Sequence, residues 1–364
     1  MARIALNARL LIPNRLEGIG WFTHECYKRI IAAHPEHSFR LVFDRPPHSD
    51  FDYGEHASCV RLWPPARRPF LYDAWFDWSV SRELNRWRAD VFVSTDGMLS
   101  RTTSVPQLAV MHDLNFMHHP EWMPKREAAY YRARFPVFAQ KATRLATVSE
   151  HSKRDIIALF DIADSKVDVV YNAPADAYST EAGPARGELG LPNAYFIFVG
   201  SLHPRKNLSG LLEAFGLYRA EGGTADLVIV GERMWPGTET CPPGVHFLGR
   251  LDRADLPAVM AGAMGLVFVP WFEGFGVPIV EAFASGVPVI ASNTTAMPEV
   301  CGGAAASLVD PGNAREIADA MRKLERDEPH RIAAISRGMV RAKSFDWDTS
   351  AHQLWSSIQK VGVQ

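Results

Sequence analysis

Short apolar runs alternate with helix-like segments along this whole chain, and that alternation restricts it to an α/β fold built on parallel sheets. In the first half the runs cover residues 4–7, 39–43, 91–94, 107–111, 144–148 and 167–170. Helices are predicted at 21–33, after a Gly18-Ile19-Gly20 turn, and at 152–159, with Ser149 as N-cap. Residues 172–191 are rich in Ala, Pro, Gly and Asp without periodicity, so they read as a linker. A second series follows, with strands at 195–199, 227–230, 245–248, 265–269 and 287–291 and helices at 208–219 and 256–261. The domain expectation is therefore 1–175, then 176–345, then an amphipathic terminal segment, 346–364.

With 364 residues the chain is too long for one typical core and comfortable for two. Its 47% apolar and 22% charged content is that of a water-soluble globular protein. A net charge of −2 gives no basis for bulk nucleic-acid binding, although the first half is mildly basic and the rest mildly acidic. The four cysteines lie far apart with no C-x-x-C, which suits free thiols in a reducing compartment. There is no run of 18 apolar residues and no signal-peptide core, so the expectation is a cytoplasmic protein.

Residues 270–291, PWFEGFGVPIVEAFASGVPVIA, carry most of the chemistry. Gly274, Gly276 and Pro278 keep the first part out of a helix, and Pro278 is a good first helical residue. Gly286 is a good stop before a buried strand. Glu273 then falls on a glycine-rich loop at a helix N-terminus and Glu281 about one turn into the helix. The loop amides can donate to hydroxyls or to an anion. Carboxylates that grip vicinal hydroxyls, beside donors suited to phosphate, fit a sugar nucleotide.

The two glutamates and their context, E-G-F-G followed by E-A-F-A-S-G-x-P-V-I-A, resemble the E-x7-E signature of the GT4 family of retaining glycosyltransferases. The resemblance covers nearly the whole chain. It implies the GT-B fold: two Rossmann-like domains facing a central cleft, an N-terminal acceptor-binding one and a C-terminal nucleotide-sugar one, with the terminal helix crossing back to the first. By position it implies that Glu273 and the amides of Phe275, Gly276 and Val277 hold the donor sugar, and that Glu281 binds the ribose.

Gly200-Ser201-Leu202-His203-Pro204-Arg205-Lys206-Asn207 follows a strand and precedes a helix. Adjacent Arg205 and Lys206 there suit a diphosphate, Arg as a planar fork and Lys as a point charge. The segment looks like the family's G-x-x-x-x-x-K stretch, which implies that both cations neutralise the leaving nucleoside diphosphate and act as catalytic residues. No Walker A loop is present. Gly18 and Gly20 can bring bare backbone close to a ligand, and resemble the family's N-terminal glycine loop. Met111-His112-Asp113 ends a strand at its carboxyl edge, where open α/β sheets place ligands. The resemblance gives His112 a catalytic part, as it does Glu273: His112 contacts the donor sugar and supports the reacting centre, with Asp113 behind it. It also places Arg233 near the phosphates and Leu251 near the base. Ser149 fits a helix cap, and Glu150 is not assigned to catalysis.

No metal site or cofactor is expected. His118 and His119 are adjacent, and the two D-x-D pairs, Asp50/Asp52 and Asp346/Asp348, follow no buried strand. With Arg205 and Lys206 on the leaving group, a divalent ion is unnecessary. Two stretches interleave cations with aromatics and suit peripheral contact with an anionic membrane, residues 125–144 and 63–78. A helix with a buried aromatic face fits them equally well. The reading is hexose transfer from a nucleoside-diphosphate sugar to a saccharide or lipid-linked saccharide, at the inner membrane face. The N-terminal G-I-G-W-F-T segment looks like bacterial mannosyltransferases of polysaccharide assembly, which favours GDP-mannose. A UDP-sugar donor and a non-catalytic sugar-nucleotide binder remain alternatives. A glycoside hydrolase would not need the diphosphate cations, and a nicotinamide dehydrogenase would need the missing third glycine.

Overall fold

A computed structural model describes residues 1–181, 189–233, 241–252 and 254–363. The part of the linker at 182–188 lies outside them. The chain forms two compact units: Met1–Asn172 together with Trp347–Gln364, and Ala173–Asp346.

In the first unit, strands β1 (Arg3–Asn7), β2 (Ser38–Phe43), β3 (Ala57–Arg61), β4 (Val91–Ser94), β5 (Gln107–Val110), β6 (Arg144–Thr147) and β7 (Val167–Val169) make one parallel sheet in the order β3-β2-β1-β4-β5-β6-β7. The central strands β4 and β5 are mostly apolar and buried along their whole length, as a parallel sheet with helices on both sides requires. The edge strand β3 is missing from the strand expectations. Its Ala-Ser-Cys-Val-Arg sequence is mostly exposed and has no alternation to read.

The Gly18-Ile19-Gly20 expectation needs correcting. These residues are not a turn before the helix but the first turn of the helix Gly18–Ala33 itself. Gly20 is buried, and a Cβ there would lie 3.0 Å from the Leu10 carbonyl oxygen and 3.0 Å from Leu16. The glycine therefore serves close packing of the preceding segment. Ser149 caps the helix Glu150–Phe160, accepting the Ser152 N–H at 3.0 Å. The helix Trp347–Gln359 packs on Gly18–Ala33, with Trp347 edge-on to Phe22 and Trp355 stacked on His34.

In the second unit, β8 (Tyr195–Val199), β9 (Asp226–Val230), β10 (Val245–Gly249), β11 (Gly265–Phe268), β12 (Val289–Ser292) and β13 (Ser307–Val309) form a parallel sheet in the order β10-β9-β8-β11-β12-β13. Helices Leu208–Ala220 and Ala314–Arg326 cover one face through a core that includes Leu211, Phe215, Ile317 and Met321. Both sheets reverse their strand order once, between β1 and β4 and between β8 and β11. Loops leaving the carboxyl ends of those strands diverge there, and the crevice between them is where such sheets bind ligands. Among the described residues no helix is long and apolar enough to cross a membrane.

Candidate active site

In the second unit the reversal point lies between β8 and β11, and the loops leaving these two strands carry Arg205 and Lys206 on one side and Glu273 on the other. The Arg205 carbonyl accepts the Trp271 N–H at 2.9 Å, which ties the loops together through backbone. Both cations converge on one carboxylate oxygen, the Oε1 of Glu273. Arg205 also donates to the Phe272 carbonyl at 3.4 Å. Lys206 and Glu273 are both more than nine-tenths buried. The Lys206 stem runs past Gly200, and its ammonium lies 4.8 Å from the centroid of the Phe268 ring. Burial by itself would raise the Glu273 carboxyl, but the charges of Arg205 and Lys206 outweigh it and hold the group below its ordinary range.

Asn207 builds this turn, and no sequence signal marked it out. It sits in the left-handed region at φ 58°, which asparagine tolerates better than most residues. Its buried amide donates to the Val269 carbonyl at 3.1 Å and the Pro311 carbonyl at 2.8 Å, fastening the Pro204–Lys206 turn to the end of β11. Gly210 makes room for it, since a Cβ there would lie 2.5 Å from the Asn207 Oδ1. Thr295 was also unforeseen. It is β-branched with φ 53°, an unusual backbone for such a residue, and its hydroxyl accepts the Glu273 N–H at 3.4 Å.

Three glycines line the neighbouring strand ends. The Gly200 N–H donates to Val230 and the Gly231 N–H to Gly249. A Cβ on Gly231 would lie 1.8 Å from the Gly200 carbonyl oxygen, so this crossing admits only glycine. Ser201 follows Gly200, and Arg233 is exposed beside Leu202, with which it forms an isolated bridge. Leu251 lies two residues beyond β10 and is half-buried. Past Glu273, Phe275 is buried edge-on to Phe345, and Gly276 turns the chain at φ 94° into the helix Val277–Ala284. A Cβ on Gly276 would lie 2.8 Å from Met297. Glu281 is half-buried one turn into that helix.

At the first unit's reversal point, Asn7 at the end of β1 donates to Ser94 at the end of β4 at 2.9 Å, and Arg9 pairs with Asp96 at 2.7 Å. Thr23 and Thr95 share a hydrogen bond at 2.7 Å. His112 lies next door, its Nε2 3.0 Å from the Thr95 carbonyl. A carbonyl only accepts, so Nε2 carries the proton. Desolvation pushes the imidazole down to about 4, which keeps it neutral at neutral pH and makes Nδ1 an acceptor. Asp113 next to it is held by Asn115: its Oδ1 accepts both the backbone N–H of Asn115 at 3.1 Å and the side-chain amide at 2.6 Å. Gly18 and Gly20 lie in the first turn of the helix that also bears Thr23.

Three of the D-x-D carboxylates have partners. Asp52 accepts the Gly54 N–H, Asp50 pairs with His48, and Asp348 pairs with Arg29. Among the described residues one side-chain group has metal-ligand proximity, His34, Glu36 and His37 at the end of the helix Gly18–Ala33. There His37 Nδ1 accepts the Ala2 N–H at 3.0 Å, so the neutral ring carries its proton on Nε2, the nitrogen that faces Glu36.

Two family models match the chain. "Glycosyltransferase Family 4" covers residues 17–173 and "Glycosyl transferases group 1" covers residues 193–327. The O-antigen chain mannosyltransferase B of Escherichia coli is 28% identical over 93% of this chain and 94% of its own. The sucrose-phosphate synthase of Thermosynechococcus elongatus superposes with a TM-score of 0.77 at 16% identity, covering 99% of this chain and 98% of that one. WaaG, a glycosyltransferase involved in lipopolysaccharide biosynthesis, does so with 0.71 at 17% identity, covering 99% and 100%. At those identities the likeness concerns the fold. Two doubly wound units, the E-x7-E loop and helix, and family models matching in both units lead to one conclusion: this chain is a glycosyltransferase with the GT-B fold, carrying a family 4 domain in its first unit and a group 1 domain in its second.

Proposed function

We propose that the protein transfers mannose from GDP-mannose to a hydroxyl of a saccharide or lipid-linked saccharide, with retention of the anomeric configuration. The observation that carries the sugar-nucleotide part is the convergence of Arg205 and Lys206 on the buried Glu273. Two fixed cations around one carboxylate make a site for a second anion. A diphosphate arriving there takes over their charge and releases Glu273 to accept from sugar hydroxyls.

In this reading the sugar is held by Glu273 and by the amides of Phe275, Gly276 and Val277, and the ribose by Glu281. Gly200, Ser201, Gly231 and Arg233 border the phosphates, and Leu251 the base. His112 acts as a neutral acceptor toward a sugar hydroxyl, not as a cation, and Gly18 and Gly20 offer first-turn amides. The chemistry is front-face transfer: the bond from the anomeric carbon to the β-phosphate oxygen breaks, the acceptor oxygen bonds the same face, and the departing phosphate oxygen takes the acceptor proton. Arg205 and Lys206 stabilise the charge that grows on the leaving group. No divalent metal is assigned a part, because these cations supply the neutralisation. Mannose is favoured by the similarity to an E. coli mannosyltransferase. A UDP-sugar is the second reading, since HepE of Anabaena, a protein of the same fold, is solved in complex with UDP-glucose. The acceptor would be met at the inner face of a membrane.

Thermal unfolding with GDP, UDP, ADP and dTDP separates these readings. A selective rise with GDP that Glu281→Ala abolishes is the expected result. A rise with UDP alone replaces the donor. No rise at millimolar concentration of any of them overturns the sugar-nucleotide site.

A further inference from the structure

The two aromatic-basic stretches behave differently in the fold. In the helix Lys125–Lys141, Phe135 and Phe138 are core residues, and Tyr130 and Tyr131 pack against the same core. That helix shows water a set of cations without aromatic rings. Between residues 61 and 88 the opposite holds. Trp63 is 74% exposed, Phe70 70% and Trp78 79%, whereas Phe247 and Trp271, the other exposed aromatics among the described residues, are each only 40% exposed.

Phe70 and Trp78 belong to one element. Helical turns run without interruption through Pro69–Ala74, the wider π-type segment Trp75–Val80 and Ser81–Trp87. The wide turns bring the average repeat close to four residues, so two stripes at that spacing stay on opposite faces. Tyr72, Phe76, Val80 and Leu84 form the buried stripe. Two residues out of phase with them, Phe70, Trp78, Arg82 and Arg86 point outward. Ser79 donates to the Trp63 carbonyl at 2.6 Å, which brings the Trp63 backbone beside the Trp78 turn.

The charge on this surface has one sign. Every exposed charged residue from 61 to 88 is an arginine: Arg61, Arg67, Arg68, Arg82, Arg86 and Arg88. The three acids of the stretch are engaged by arginines, Asp73 with Arg101 and Arg134, Asp77 with Arg101, and Glu83 with Arg40 and Arg86. Arg67 and Arg68 sit directly before the helix, and its first turn holds no acid. Cations at a helix N-terminus oppose the helix dipole, so helix stability does not account for them.

We propose that the run from Pro69 to Trp87, with Trp63 beside it, is an interfacial membrane-docking element for an anionic lipid surface. The rings of Trp63, Phe70 and Trp78 enter the headgroup boundary, and the arginines meet lipid phosphates. This extends the membrane-face part of the proposed function by naming the surface. Vesicle binding is read without donor or turnover, so either proposal can fail alone.

The test is flotation of the full chain with phosphatidylcholine vesicles, with and without phosphatidylglycerol, at low and high salt. The chain is expected to float with the anionic vesicles at low salt only. The Trp63→Ser/Phe70→Ser/Trp78→Ser variant should bind about tenfold less or weaker still. Arg67→Gln/Arg68→Gln, which touches no apolar packing, should also lose about tenfold. All three aromatics are exposed, so unchanged thermal unfolding of the variants is expected. Equal binding to neutral vesicles, no flotation of the wild type, or a triple variant that floats like the wild type would each overturn the proposal. Concentration-dependent dimerisation in the absence of vesicle binding would overturn it in favour of a second copy of the chain.

Discussion

Glu273 is a buried carboxylate, and the contacts of Arg205 and Lys206 are what make its burial tolerable. Each of the three residues therefore has two roles, one in the ligand-free fold and one in the proposed reaction. Removing a single cation separates them. In Arg205→Ala the carboxylate keeps Lys206, so the unit should still fold. The stabilisation of the leaving group is lost only as charge develops on it. We expect kcat and kcat/KM for sugar transfer to fall together, by about 100-fold. Lys206→Ala should behave alike, and the double variant should be less than additive because both cations share one partner. Steady-state kinetics with kcat unchanged in either single variant would remove these residues from the transition state.

At the level of elements, the sequence was informative where a strand is buried and central, as in β4 and β8, which have the expected bounds. It said little where pairing partners decide. The edge strand β3 and the three-residue β13 lack any pattern of their own. Arg205, Lys206 and Glu273, which the structure brings together, stood out in the sequence by residue type and spacing. Asn207 and Thr295 did not, because their parts depend on which distant carbonyl or amide the fold brings to them. Asn207 allows a direct test of such a part. Asn207→Ala removes two buried hydrogen bonds and leaves alanine at φ 58°, so a loss of about 2–4 kcal/mol is expected from denaturant unfolding. Asn207→Gly accommodates the backbone and loses only the bonds, so it should fall between the wild type and alanine. Both variants should weaken nucleotide binding, because the Pro204–Lys206 turn would lose its anchor. If Asn207→Ala matched the wild type in stability and binding, the turn would not depend on this clamp.

For the whole molecule, the chain leaves the first unit at Asn172 and is back in it at Trp347. The apolar stripe of the terminal helix shows that it packs, but periodicity cannot say on what. The structure puts a charge network at that junction. Asp168 on β7 accepts from Arg144, from the Ser357 hydroxyl at 2.7 Å and from Lys360 at 2.9 Å. Burial raises this carboxyl, but the hydrogen bonds and charge of its partners outweigh that and bring it down to about 2. Its value in the folded chain is thus below the unfolded one, near 4. The stabilisation is therefore fully present above about pH 4 and is lost as pH falls toward 2. Asp168→Asn should lower stability at pH 7 by about 1–2 kcal/mol and remove this part of the acid sensitivity. Hydrogen exchange should show the loss in Trp347–Gln359 together with β6 and β7, since the network ties them. If exchange rose in the helix alone, with β6 and β7 unchanged, the terminal helix would be an appendage and not part of the first unit's cooperative core.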